Sequence, residues 1–195
     1  KPISVEQTAK LHATDDQILA LLSDEKSHDR GFRLLMSATQ ERLYWHIRRM
    51  VGTHDDADDV LQNTFIKAWR GLANFKGEAR LSTWLYRIAT NEALTFLGQK
   101  SRHSAAGSID DPSSAMASKL RADAWWDGDD VQLKLQVAIA QLPEKQRVVF
   151  NLRYYDEMPY EEMSGVLDTS VGALKASFHH AVKKVEAHFK NLDII

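Results

Sequence analysis

The sequence contains no cysteine. That absence excludes disulfides, thiolate-ligated zinc and a thiol nucleophile together, and it fits a reducing compartment. Proline is scarce, at four residues, and glycine numbers nine. Few turns and long helices are expected from so little of either. No apolar run approaches the roughly 20 residues of a membrane span. The start, Lys1-Pro2-Ile3-Ser4, has neither an initiator Met nor a signal-peptide pattern; it reads as a processed start, and a cytoplasmic location is expected. HExxH, GxSxG and a Gly-rich phosphate loop are all missing. The reading is therefore not an enzyme, with no catalytic residue, no cofactor and no metal assigned. An excess of positive charge is missing too. The formal net charge is −2, whereas a duplex-DNA binder acting alone is usually basic.

What is present is ordinary for a folded protein: 44% hydrophobic and 27% charged residues in 195. Charge is unevenly placed. Residues 1–100 carry a net +1, residues 101–130 a net −3, and residues 131–195 are balanced. The middle stretch is rich in Ser, Ala and Asp, lacks a sustained apolar period and contains Gly107, Pro112 and Gly128. It reads as an acidic, flexible linker. Trp125 and Trp126 are unusual there and are expected to dock on a flanking domain.

On either side the apolar spacing is helical and never strand-like. Asp15-Asp16 is placed to cap a first helix. A break at residues 27–31 precedes a second helix over about 32–50, with Leu35, Leu43, Ile47 and Met50 inward. A third starts near Asp55 behind the cluster Asp55, Asp56, Asp58 and Asp59, where negative charge suits a helix N-terminus. A fourth, capped by Ser82 or Thr83, runs to Leu97 with Trp84, Leu85, Ile88, Ala89 and Phe96 inward. Past the linker, helices are expected over 133–142, 144–154, 160–167 and 170–189. Short helix, tight turn at Asp168-Thr169 and longer helix is a helix-turn-helix layout. The fold expected is all-α: two small helical domains, 1–100 and 131–195, joined by the linker 101–130.

Three constellations carry chemistry. The carboxylates of residues 54–59 sit at a helix start and lack the order of an oxygen-ligand loop, so helix stabilisation or a docking surface for a basic partner explains them better than a metal. Residues 74–102 interleave Phe75, Trp84, Tyr86 and Phe96 with Lys76, Arg80, Arg87, Lys100 and Arg102, a mixture suited to single-stranded nucleic acid. The competing account makes the rings core and the cations a solvated face. The last helix exposes Ala173, Lys175, Ala176, Ser177, His179, His180, Lys183 and Lys184, with its first half placed for a major groove. A plain three-helix bundle has similar spacing.

Residues 56–69, DADDVLQNTFIKAW, resemble a segment of domain two of bacterial sigma factors, and residues 75–89, FKGEARLSTWLYRIA, resemble its continuation into the promoter-melting segment. Residues 142–154, LPEKQRVVFNLRY, with Tyr160-Glu161-Glu162-Met163 and Ser170-Val171-Gly172-Ala173-Leu174-Lys175, resemble domain four. The joint order covers most of residues 30–190, and the lack of a middle domain is similar to the extracytoplasmic-function (ECF) group of alternative sigma factors. The resemblance implies a dissociable RNA polymerase subunit that selects promoters and opens the −10 region. It implies core-polymerase contacts on the clamp coiled coil from Asp56, Asp59, Gln62, Asn63, Lys67 and Arg70, with Phe65 and Trp69 as core support, and a contact of domain four with the flap. Contacts with −10 DNA fall to Asn74, Phe75, Lys76, Arg80, Ser82, Thr83, Trp84, Arg87 and Asn91, with a flipped base captured by residues 74–82. Contacts with −35 DNA fall to Ala173, Lys175, Ala176, Ser177, His179, His180 and Lys183. The acidic linker would thread the polymerase channels, and an anti-sigma factor or other recruiting protein is a partner the family often has.

The match departs from the family at two places. Asn63 stands where many members are acidic, and Ser177 and His180 stand where a basic residue is common. Without an Arg to pair bidentately with guanine, −35 readout is expected to be weak, with recruitment by another factor as the alternative. A stand-alone helix-turn-helix regulator is the other alternative; it would be a dimer that binds an operator without polymerase.

Overall fold

The computed structural model describes residues 15–77, 79–105 and 130–191; the side chains of residues 103–105 and of Asp130 lie outside that description. Every regular element among the described residues is helical. Helix α1 spans Asp15–Ser23, α2 His28–Val51, α3 His54–Gly71 and α4 Leu81–Ala105, with a 3-10 turn over Leu72–Asn74. Helices α5 (Asp130–Ala140), α6 (Glu144–Tyr154), α7 (Tyr160–Leu167) and α8 (Val171–Lys190) follow. The all-α expectation is met. Most of the expected linker, with Trp125 and Trp126, lies outside the described residues.

Local chemistry sets the ends. Thr53 is the N-cap of α3 and accepts from the Asp56 backbone N–H, while Asp55 and Asp56 occupy the first turn, where carboxylates favour the positive end of the helix. Ser170 caps α8 by accepting from the Ala173 N–H at 3.3 Å. Asp168 closes α7 in the left-handed region at φ 49°, a conformation that Asp tolerates better than most side chains. Pro143 and Pro159 stand just before α6 and α7, where a missing N–H costs nothing.

Several helix ends differ from the sequence reading. The break lies over residues 24–27 rather than 27–31: α2 already runs from His28, through Gly31. Gly31 is there because α1 crosses it. A Cβ would come within 3.0 Å of Leu21 Cβ and of Leu22, tighter than packed side chains allow. Asp15 and Asp16 lie inside the first turn of α1 rather than before it. Helix α4 starts at Leu81, so Ser82 and Thr83 sit in its first turn and the Arg80 carbonyl accepts the Trp84 N–H. The helix also runs on to Ala105, into the stretch assigned to the linker.

The core joins the two halves. Leu81, Leu85, Ala89 and Ala93, one face of α4, are fully buried with Leu35, Leu43, Ile47 and Met50 of α2 and Ala57, Val60, Phe65 and Ala68 of α3. Val148, Val149 and Leu152 of α6, Met163 and Val166 of α7, and Leu174 of α8 belong to this same cluster. A smaller core of Ala138, Ile139, Leu142, Phe150, Ala181, Val185 and Phe189 ties α5 to α6 and α8. Burial at roughly 25 cal/mol per Å² of apolar surface makes the shared cluster the main force holding α6 and α7 on α2 and α4.

Candidate nucleic-acid and polymerase interface

Three surfaces carry the predicted residues. On α3 the buried row is Ala57, Val60, Thr64 and Ala68, beside Phe65. Spacing of three and four puts Asp59, Gln62, Asn63 and Arg70 on the opposite face, and all four are exposed. Asp56 and Lys67 turn elsewhere. Asp56 is half-buried and paired with Lys100, and Lys67 is paired with Glu92, so both are tied to α4. Two apolar residues share the exposed face: Ile66, 42% exposed, and Trp69, 41% exposed. Trp69 was expected as core support. Instead one side of its ring packs edge-on against His28 and Phe32, with centroids at 4.8 and 4.9 Å, and the rest meets solvent. Phe65 is buried as expected. Ile66 was missed, although its place off the row 57, 60, 64, 68 was a readable signal.

The second surface is the turn before α4 and the first half of that helix. Asn74, Lys76 and Arg80 are exposed, and Gly77 takes φ 73°, a bend that favours glycine. Glu78 lies outside the described residues. Phe75 is half-buried against Trp84, centroids 5.1 Å apart. Trp84 is half-buried over Gly71, where a Cβ would sit 3.2 Å from its ring. Arg87 and Asn91 continue this exposed side of α4 at steps of three and four from Trp84. Ser82 and Arg80 also line a cavity of about 470 Å³ with Arg42, Thr39 and Tyr86. Thr83 does not join the exposed group. It is buried, with its methyl 3.6 Å from where a Cβ on Gly165 of α7 would stand, and Arg80 reaches Glu162 of α7 at 3.2 Å.

The third surface is α8. Leu174, Ala181, Val185 and Phe189 are buried. Ala173, Lys175, Ala176, His179, His180 and Lys183 are exposed, and Ser177 is half-buried between the two faces. The Lys175 ammonium lies 5.7 Å from the centre of the Tyr160 ring, which draws it toward α7.

Buried groups beneath these surfaces are perturbed. Burial, aided by Asp156, pushes the Tyr86 phenol well above its ordinary range. Burial pushes the Tyr155 phenol up to about 12. Burial also lowers the Arg147 guanidinium, which donates to the Ala140 carbonyl at 3.2 Å.

Residues 35–103 match sigma-70 region 2, and residues 132–185 match sigma-70 region 4. The chain belongs to the sigma-70 family. Its relatives place it in the ECF group. It is 30% identical over 179 residues to the RNA polymerase sigma-H factor of Pseudomonas aeruginosa, covering 83% of this chain and 88% of that one. It is 28% identical over 169 residues to the ECF RNA polymerase sigma-E factor of Escherichia coli K12, with the same coverages. In fold, this sigma factor is similar to RpoE of Bartonella quintana, solved with the anti-sigma factor NepR, at a TM-score of 0.65 and 21% identity over 82% of this chain and 96% of that one. It is also similar to CnrH, solved with the cytosolic domain of CnrY, at a TM-score of 0.67 and 22% identity over 92% and 99%. Sigma factors are non-catalytic subunits of RNA polymerase. No helix among the described residues is long and apolar enough to cross a membrane.

Proposed function

We propose that this sigma factor directs core polymerase to its promoters through three separate surfaces. The exposed face of α3 docks on the polymerase clamp, with Asp59, Gln62, Asn63 and Arg70 around Ile66 and Trp69. An apolar centre with a polar rim is the usual anatomy of a protein interface. The turn at residues 74–80 and the Trp84, Arg87, Asn91 side of α4 meet the opened −10 strand. There the rings give a stacking platform and the cations meet phosphate, while the cavity beside Arg80 and Ser82 offers room for an unstacked base. Helix α8 lies in the major groove at −35.

The observation that carries the reading is the run of Asn74, Lys76, Arg80, Arg87 and Asn91 along one exposed side next to the Phe75–Trp84 pair. A solvated helix face accounts for the cations but not for half-buried rings placed among them. Weak −35 readout is part of the proposal, because the exposed start of α8 offers Lys175, His179 and His180 but no Arg. An anti-sigma partner is proposed as well, since RpoE of Bartonella quintana, similar in fold, was solved with an anti-sigma factor.

The test is reconstitution. The purified chain is expected to co-elute with bacterial core polymerase and to make −10 thymines of a cognate promoter reactive to permanganate. Binding with no opening on any promoter would point to a sigma factor that needs a recruiting protein. Absence of binding by the folded chain would return the stand-alone regulator.

A further inference from the structure

The outer side of α8 carries two rows. Leu174, Ala181 and Val185 face inward, and Phe178 stacks on Phe150 with centroids 5.7 Å apart. Steps of four then align Lys175, His179 and Lys183 in one exposed row, and Ala176, His180 and Lys184 in the next. His179 thus stands one turn from a lysine on either side. His180 has a methyl on one side and a lysine on the other. The two rings lie 6.1 Å apart and tilted. Among the described residues neither imidazole makes a hydrogen bond or an ion pair, and neither Lys175 nor Lys183 is paired with a carboxylate.

The surrounding elements bring no counter-charge to this row. On α8 itself the one carboxylate is Glu186, nearly two turns from His179. From α7 and the turn after it come Tyr160, Glu161, Glu162 and Asp168. Tyr160 meets Lys175 through its ring, and Glu162 takes Arg80. From α6 and the turn after it come Arg153, Tyr154, Tyr155, Asp156 and Glu157. Arg153 lies over the Tyr160 ring at 5.3 Å, Tyr155 accepts from Gln136, and Asp156 is held by His46 and Arg49. Glu157 lines a cleft with Arg153, Tyr154 and Phe178. From α5 comes Lys134. None of these groups pairs with His179.

Three cations in one exposed row repel each other at this spacing. Against a DNA backbone each of the three is attracted instead, because phosphate neutralises it. Imidazole is the side chain able to change its charge between about pH 5 and 8. A lysine or arginine at the same place would carry its charge in solvent and on DNA alike.

We propose that His179 takes up a proton from solvent when α8 meets duplex DNA, so that −35 binding by this sigma factor strengthens as pH falls. The imidazolium adds a third cation to the row of Lys175 and Lys183 only where phosphate can meet it. A phosphate contact carries no base identity, which agrees with weak −35 readout. The inference rests on the reading of α8 as the −35 surface. The sign follows from linkage. In acid the free and bound forms both carry the proton, in alkali neither does, and between these limits affinity falls as pH rises.

The test uses core polymerase reconstituted with the chain, at constant ionic strength. The probe is a labelled duplex carrying the −35 element of a cognate promoter and no −10 element, with core polymerase alone as background. Affinity is expected to be roughly 10-fold higher at about pH 6 than at about pH 8, from at most one bound proton. His179→Gln is expected to remove that dependence. His179→Lys is expected to bind at the alkaline end as tightly as the unsubstituted chain does at the acid end. His180→Gln is expected to keep the dependence. A flat profile in the unsubstituted chain, an undiminished slope in His179→Gln, or a slope lost in His180→Gln each overturns the proposal. All these positions are exposed, so helical circular dichroism is expected to be unchanged in each variant. Lys183→Ala separates the two readings. Duplex affinity unchanged by it at every pH shows that α8 does not meet the duplex, and the failure belongs to that reading. Weaker binding by Lys183→Ala, with no pH dependence traceable to His179, overturns the proton uptake alone.

Discussion

At the scale of single residues, Ile66 and Trp69 are the informative pair. Both are large and apolar, and both meet solvent on the face of α3 that carries Asp59 and Arg70. Apolar residues at the centre of a docking face carry much of its binding energy. Ile66→Asp is therefore expected to weaken core-polymerase affinity by on the order of 10-fold or more, read by fluorescence titration. Its melting temperature should stay close to that of the unsubstituted chain. Unchanged affinity would move the docking surface off this face. Exposed and buried positions on α3 were partly legible in the sequence. The spacing of Val60 and Phe65 marked the inner side, but Trp69 was placed with them because a tryptophan at helical spacing usually packs. Only the position of Phe32 and His28, which cover one side of the ring, shows that the other side is left open.

At the scale of elements, the helix-turn-helix was legible almost residue for residue. Its punctuation is local: Pro159, the Asp168 turn and the Ser170 cap act within a few residues of themselves. Ser170→Ala is expected to cost about 1 kcal/mol, seen as a lower midpoint in thermal or urea unfolding. Because α8 starts at that cap, the same substitution should weaken −35 binding. Should the midpoint not move, the hydrogen bond to Ala173 contributes nothing. Gly31 and α4 were less legible, for a different reason. A glycine in a helical pattern signals a break as readily as a close crossing, and only the approach of Leu21 and Leu22 decides between them. Likewise, Ser82 and Thr83 both look like caps. The helix starts earlier because Arg80 already supplies the first carbonyl.

At the scale of the whole molecule, the sequence showed two helical halves but not their union. Leu152, Met163 and Val166 belong to helices of the C-terminal half, and they are part of the core shared with the N-terminal half. Nothing in the spacing of α6 or α7 reveals which neighbour an apolar face will choose. Nor does sequence show that Asp156 reaches His46 and Arg49 across more than a hundred residues. The same junction makes the fold sensitive to alkali. The Tyr155 phenol, pushed up to about 12, holds its proton more tightly in the fold than in the unfolded chain. A raised folded-state value means its contribution is intact below the ordinary phenol value and is lost as pH climbs toward 12. Urea midpoints measured from pH 8 upward are expected to be flat until about pH 10 and then to fall, by on the order of 2 kcal/mol from this group. Tyr155→Phe should lessen that fall, leaving the share of the buried Tyr86 phenol; an equally steep fall in the variant would assign it to other groups.

The shared core also makes the two halves one unit of unfolding. Leu152, Met163, Val166 and Leu174 are buried among residues of α2, α3 and α4, so denaturant exposes both sides of that seam together, and transitions followed by different probes are expected to coincide.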